Sequence, residues 1–299
     1  MRLLTADPPI ERVYSSMYYR CLQTVEPFVR KAQEAATAAG AGAAGASAPA
    51  TLNAPVAAAP GELSRPPLLR IKGETGLGEW YGSADFEHPV PASLDRLGPL
   101  FPGLLDADYG PAVTPNRMGE GIDELHDRVA AAMEALIAQC DRDGVRAVLL
   151  CSHAAVVIAL GRVLTGQMPD LVDTEDFKCF TCGLSAYRRR GAAAGVAPGA
   201  RDGVVTQATA VGDVDHDRKA GLAWRGGQGV SGGWECELNS DCGHLRLGEE
   251  RGWSVTASPC LTDSLEALAG CPNKTNARAA QEVFWRRVVQ GYGHGAEHP

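Results

Sequence analysis

The sequence lacks the features of membrane proteins, disulfide-rich secreted domains and nonspecific nucleic-acid binders. It has no run of about 18 apolar residues and no charged-then-apolar leader with a cleavage site. Its nine cysteines are odd in number and scattered, which favours reduced thiols over a disulfide framework. The formal charge of −8 and the pI near 5.4 argue against the basic face of a phosphate-backbone binder. We therefore expect a cytoplasmic or nuclear protein with no membrane association and no direct nucleic-acid binding.

Large side chains are scarce in two regions. Residues 35–61 are almost wholly Ala, Gly, Pro, Ser and Thr. The segment therefore has too few large apolar side chains to offset the conformational entropy that ordering it would cost. We interpret this stretch as a flexible low-complexity insertion after the first helix. Beyond residue 191 the chain is Gly-rich and shows no sustained period. We therefore predict a domain over residues 1–190 and an irregular, largely disordered tail over 191–299, with one helix near 276–290.

Strand and helix patterns alternate before residue 190. Val13 and Tyr14 suit a short strand, and apolar residues recur at helical spacing after Met17. The later elements are an amphipathic helix that ends at Gly144, an apolar strand over 145–151, a small-residue helix over 154–164 and a last strand over 183–190. This alternation predicts an α/β fold with a mostly parallel sheet.

Two strand-to-helix junctions carry residues suited to an anion. Arg20 falls in the first turn of the first helix, and His153 lies at the junction before the small-residue helix. Because open α/β folds place ligands at the carboxyl edge of the sheet, a phosphate there would meet helix N-terminal amides, a guanidinium and an imidazolium. Glu74, in a glycine-rich loop, is a candidate proton donor above that anion. Taken singly, each residue has an ordinary structural interpretation.

Three motifs in this order resemble the histidine phosphatase (phosphoglycerate mutase-like) superfamily. They are VYSSMYYRCLQT at 13–24, ETGLGEWYG at 74–82 and CSHAAVVIALGRVLTG at 151–166. The likeness extends over about residues 10–190 and is greatest to the fungal branch, which includes a subunit of the RNA polymerase III transcription factor tau. The resemblance implies a three-layer phosphoglycerate mutase-like fold with a mostly parallel sheet, missing its first strand and helix.

The same resemblance implies a role for each site residue. Arg20 would bind the transferred phosphoryl group, and His153 would hold its oxygens as charge develops on them. Glu74 aligns with the family's general acid, which protonates the leaving alcohol. Glu79 is the second choice for this acid, and we favour a structural role for its carboxylate.

One motif of the family is absent from this sequence. The family's nucleophilic histidine stands in Arg-His-Gly at the end of the first strand, and without a nucleophile covalent transfer has no first step. The other histidines of the chain stand in different contexts: His88, His126, His216, His244, His294 and His298. Either Met1 is an internal methionine of a longer protein, or the chain is a pseudo-enzyme. We favour the first, because loss of a central strand would leave two neighbouring strands with unpaired backbone groups.

The implied activity is therefore phosphomonoester hydrolysis by the complete protein, on a phosphorylated small molecule or phosphoprotein, with this chain inactive as given. The alternative is a noncatalytic, tau-like subunit that binds protein partners, and a fragment that folds poorly is a third option. We expect no cofactor and no metal. Cys179 and Cys182 form a Cys-x-x-Cys pair, but the second candidate set lacks the compact two-residue spacing of a structural zinc site. That set is Cys236, Cys242 and His244.

Overall fold

The structure is a computed structural model that describes residues 2–44, 68–83, 86–171, 174–191, 223–250 and 252. Its strands and α-helices, in chain order, are β1 (Arg12–Ser15), α1 (Tyr19–Ala44), β2 (Ile71–Gly73), α2 (Leu94–Leu97), α3 (Ile122–Arg142), β3 (Val148–Cys151), α4 (Ala154–Thr165), β4 (Leu184–Arg189) and β5 (Trp234–Asp241). In this part of the chain no helix is both long enough and apolar enough to cross a bilayer.

A parallel sheet with the order β2-β1-β3 forms the centre of the fold. Val13 in β1 stands opposite Ile71 on one side and Leu149 on the other. Parallel strands buried on both faces require apolar runs, and Val13 and Tyr14 are both fully buried. The predicted α/β class with a parallel sheet is confirmed.

The helices form a layer on each face of this sheet. Successive strand residues point to opposite faces, so Val13 and Tyr14 belong to different cores. Val13 packs in a cluster with apolar residues of α1 and α2. Tyr14 packs in the other cluster, with residues of α3 and α4. Both strand-to-helix junctions therefore lie at the carboxyl edge of the sheet, between two packed helical layers.

The predicted insertion at residues 35–61 differs from the structure in its first part. Helix α1 continues to Ala44, so residues 35–44 are helical rather than flexible. Alanine has the highest helix propensity of any residue, and this segment is rich in alanine. The rest of the predicted insertion, residues 45–61, lies outside the described residues.

The predicted disorder of the tail is wrong for its middle part. Strand β5 pairs antiparallel with β4, and Trp224 is buried against α3 and α4. The signal for β5 is the alternation of apolar side chains at Trp234, Cys236 and Leu238 with polar ones, and the apolar residues are less exposed than their neighbours. The predicted helix near 276–290 lies outside the described residues.

The two sheets of the described chain are not joined by backbone hydrogen bonds. Strand β3 pairs with β1 alone, and β4 pairs with β5 alone. Val148 at the start of β3 is 37% exposed. The unpaired side of β3 is therefore an apolar strand edge, which native proteins usually cover or protect with charge.

Candidate functional site

The turn between β1 and α1 brings three polar groups to the edge of the sheet. The backbone N–H of Ser16 donates to the carbonyl of Cys151 at 2.9 Å, which fixes the turn against the end of β3. Arg20 follows in the first turn of α1, as predicted, and half of its side chain is exposed. Cys21 is buried beneath it, with its Sγ 3.6 Å from Nε2 of His153.

The turn between β3 and α4 carries His153 as the N-cap residue of α4. Its ring is almost fully buried, and its Nε2 lies 2.7 Å from the hydroxyl oxygen of Ser16. This contact orients the ring so that Nδ1 faces the side chain of Arg20, 2.9 Å away. The sequence motifs did not mark Ser16 as an orienting residue, although the Ser-Ser pair at a strand end was a signal for it.

The structure brings Arg20, Glu79 and His153 together. Arg20 donates to Oε2 of Glu79 at 2.7 Å, and the same oxygen lies 3.1 Å from Nδ1 of His153. A guanidinium and an imidazole thus converge on one carboxylate oxygen at the helix N-termini. An arrangement that holds a carboxylate in this way has the donors and the charge to hold a phosphate oxygen.

The charges of this cluster stabilise one another. Burial alone would lower the pKa of His153, but contacts with Cys21 and Glu79 outweigh burial and raise it. Burial would raise the pKa of Glu79, but the hydrogen bond and charge of His153, with the charge of Arg20, lower it. The pair therefore favours an imidazolium beside a carboxylate.

Glu74, the first-choice acid, occupies a different position. Its side chain is fully buried and accepts hydrogen bonds from the hydroxyl of Tyr109 at 2.6 Å and from three backbone N–H groups. Those N–H groups belong to Gly76, Ala112 and Val113. These contacts join the loop after β2 to the segment before α3. Glu79, the second choice, is the acidic residue of the motif that contacts Arg20 and His153.

Arg128 of α3 holds the loop that carries Glu79. It donates to the carbonyls of Gly76 and Gly78 at 2.7 and 3.2 Å, and it pairs with Glu120 at 2.8 Å. The side chains of both Arg128 and Glu120 are almost completely buried. The sequence motifs did not identify Arg128, but its position three residues after Leu125 places it on the apolar face of α3, which was a usable signal.

The candidate metal ligands do not form a site in the described part of the chain. There, no group of three or more His, Cys, Asp or Glu side chains is arranged to hold a metal ion. Of the other histidines, His88 stacks on Tyr81, His126 stacks on Trp224, and His244 is exposed. His216, His294 and His298 lie outside the described residues.

A protein-family model agrees with the sequence motifs. Residues 62–196 match the model described as Histidine phosphatase superfamily (branch 1). The matched range includes Glu74, Glu79 and His153, and Arg20 precedes it. The resemblance to this superfamily is thereby confirmed.

The individual proteins similar to this chain include a transcription factor subunit and a phosphatase. The transcription factor tau 55 kDa subunit of Saccharomyces cerevisiae is 28% identical over 193 residues, which cover 62% of this chain and 36% of that protein. The chain thus spans little more than a third of the length of this relative. The crystal structure of the ecdysone phosphate phosphatase from Bombix mori, in complex with tungstate, aligns with a TM-score of 0.37 and 22% identity, over 56% of this chain and 52% of that chain.

Proposed function

We propose that this chain, whose residues 62–196 match the histidine phosphatase superfamily, binds a phosphate monoester between Arg20 and His153. The observation that carries the proposal is the convergence of both side chains on one oxygen of Glu79. In the bound state a phosphate oxygen takes the place of that carboxylate oxygen on Arg20. The N-termini of α1 and α4 add partial positive charge on the same side.

Each residue of the cluster has a chemical task in this proposal. Arg20 can form two parallel hydrogen bonds to phosphate oxygens, and its exposure leaves it accessible from solvent. His153, held by Ser16, supplies a second cationic donor from a fixed direction. Glu79 lies beside the anion and can carry the proton for a leaving alcohol once the bound dianion raises its pKa.

Binding of inorganic phosphate tests this proposal directly. Isothermal titration calorimetry should detect binding to the native chain and a loss of about tenfold or more in Arg20→Ala, because charged hydrogen bonds are removed. Arg30→Ala is the matched control, since Arg30 lies on the same helix and pairs with Glu26. A folded native chain that does not bind phosphate contradicts the proposal.

Turnover requires a nucleophile that the sequence motifs do not supply. We expect no hydrolysis by this chain, and hydrolysis of para-nitrophenyl phosphate by a longer chain that includes an Arg-His-Gly strand. In that longer chain, Arg20→Ala and His153→Ala should abolish hydrolysis.

The identity of the general acid is tested with two substrates. An alkyl phosphate has a poorer leaving group than para-nitrophenyl phosphate and needs the proton more. If Glu79 is the acid, Glu79→Gln should lower the rate with the alkyl phosphate more than the rate with para-nitrophenyl phosphate. The same pattern in Glu74→Gln would favour Glu74.

The genomic sequence upstream of the Met1 codon separates the two explanations for the missing motif. An in-frame apolar run followed by Arg-His-Gly supports a longer enzyme. Stop codons immediately upstream support a pseudo-enzyme. A folded longer chain that turns over no phosphomonoester contradicts the proposed hydrolysis. It does not contradict phosphate binding, which calorimetry tests separately.

A noncatalytic role in a protein assembly is the second candidate function. It is supported by the 28% identity to a subunit of transcription factor tau. Affinity purification of the tagged protein from its own cells should then recover the other components of such a factor. Their consistent absence from the purified material contradicts this role, and it does not bear on phosphate binding.

A further inference from the structure

An aromatic ring forms one side of the anion site. The ring of Tyr18 meets the ring of His153 edge-to-face, with centroids 5.3 Å apart and an interplanar angle of 90°. The guanidinium carbon of Arg20 lies 5.1 Å from the centroid of the same ring. Tyr18 is only partly buried, so this ring borders the space beside both candidate phosphate-binding side chains.

Further rings continue outward from Tyr18. The ring centroid of Tyr81 lies 6.3 Å from that of Tyr18. The ring of His88 stacks on Tyr81, with centroids 5.2 Å apart and an interplanar angle of 17°. Phe86 follows at 6.0 Å from His88 and is 51% exposed. Together Tyr18, Tyr81, Phe86 and His88 form what we call the aromatic wall.

The wall is held in place by contacts of its own. The hydroxyl of Tyr18, the residue before α1, donates to the carbonyl of Pro89 and so joins the turn after β1 to the segment that carries His88. The backbone N–H of His88 donates to the carbonyl of Arg117 at 2.8 Å. Because Tyr18 and His88 are held by these contacts before a ligand arrives, little ordering entropy opposes the stacking of a ligand ring on this part of the wall.

We propose that the aromatic wall makes this site selective for phosphate monoesters of aromatic alcohols. The phosphate lies on Arg20 and His153, and the ring of the ester packs against Tyr18 and Tyr81. This inference rests on the proposed phosphate-binding function. The geometry supports this selectivity, because Tyr18 already contacts the guanidinium of Arg20. A ring attached to a phosphate on Arg20 is therefore within reach of Tyr18. Aromatic pairs in offset or edge-to-face geometry bind more strongly than their buried area alone predicts.

Three probes test the inference by calorimetry: inorganic phosphate, phenyl phosphate and cyclohexyl phosphate. The two esters are compared at a pH where both are dianions, so that they differ in ring character and not in charge. We expect phenyl phosphate to bind about two- to tenfold more tightly than cyclohexyl phosphate. Equal affinities for the two esters, with phosphate bound, overturn the selectivity alone. Failure of all three probes to bind overturns the proposed function itself.

Substitutions then locate the source of the selectivity. Tyr81→Leu should bring the ratio of the two ester affinities close to one, and Tyr81→Phe should keep it. Tyr19→Leu is the matched control, because Tyr19 is exposed and packs instead on Phe101 at 5.4 Å. Should Tyr81→Leu fail to fold, Tyr18→Leu, which removes the other ring assigned to the ester, tests the same wall. A ratio unchanged by the folded wall variants contradicts the assignment.

Discussion

The Oε2 atom of Glu79 lies 2.7 Å from a guanidinium nitrogen of Arg20, so an anionic group of the protein already holds the place that a phosphate would take. The same oxygen is 3.1 Å from Nδ1 of His153. Binding of an external anion must therefore displace or protonate this carboxylate. Under the proposed function, the ionised carboxylate of Glu79 would therefore compete with phosphate in the free protein.

Removing the charge of Glu79 should strengthen phosphate binding. In Glu79→Gln the competing carboxylate is replaced by a neutral group of similar shape, and we expect the affinity for inorganic phosphate to rise roughly fivefold, on the scale of a partly exposed ion pair. Calorimetry at neutral pH measures the change. Glu87→Gln is the control, since Glu87 pairs with Arg117 at an exposed position. Weaker binding by Glu79→Gln would show that the carboxylate supports the anion instead.

Anion binding should weaken as the pH rises through the pKa of His153. That pKa is raised above its usual value of 6.5, so the imidazolium is fully present below 6.5 and is lost only as the pH rises through the raised pKa. The other facing groups keep their form in this range. The pKa of Glu79 is lowered, and the pKa of Cys21 is raised by contact with Cys151 and by burial.

Sulfate is the suitable probe for this measurement, because its charge is constant over the range. Its affinity should be highest below pH 6.5 and should fall as the pH passes the raised pKa of His153. In His153→Asn the residual binding should not depend on pH. The stability contributed by the His153–Glu79 pair should change in the same direction, being lost as the pH rises. A flat profile for the native chain would refute the role of His153.

Breaking the Arg128–Glu120 pair should destabilise the fold severely. Arg128→Met leaves the carboxylate of Glu120 buried without its partner, and we expect the free energy of unfolding to fall by about 3–5 kcal/mol. Urea denaturation measures it. Arg117→Met, which breaks a pair with Glu87 at the surface, should cost about 0–1 kcal/mol. Equal effects of the two substitutions would contradict the inferred burial of Arg128.

Part of the C-terminal region should contribute to the stability of the whole domain. Trp224 is almost fully buried in the core with α3 and α4, so Trp224→Ala should lower the free energy of unfolding by about 3–5 kcal/mol. Leu247→Ala, at a site that is 72% exposed, should change it by about 0.5 kcal/mol or less. A Trp224→Ala protein as stable as the native one would mean that this segment does not pack on the core.

Local patterns were sufficient to predict the junctions of the site. The strand at Val13 and Tyr14 and the helix that follows place Arg20 in the first turn of α1. The apolar run before His153 likewise places this histidine at the start of α4. These positions depend on periodicity within one element, which neighbouring residues determine. The pairing of β4 with β5 was missed, because the two strands are separated by a Gly-rich segment and their pairing is not local.

The sequence by itself determined that Arg20 and His153 begin two helices after parallel strands, since strand and helix periods are properties of short segments. Only the tertiary structure decided that Glu79 faces them while Glu74 is buried among hydrogen-bond donors. Both glutamates stand in one glycine-rich loop, whose backbone has no period of its own. Its course is set by contacts from a distant helix, in which Arg128 binds the carbonyls of Gly76 and Gly78.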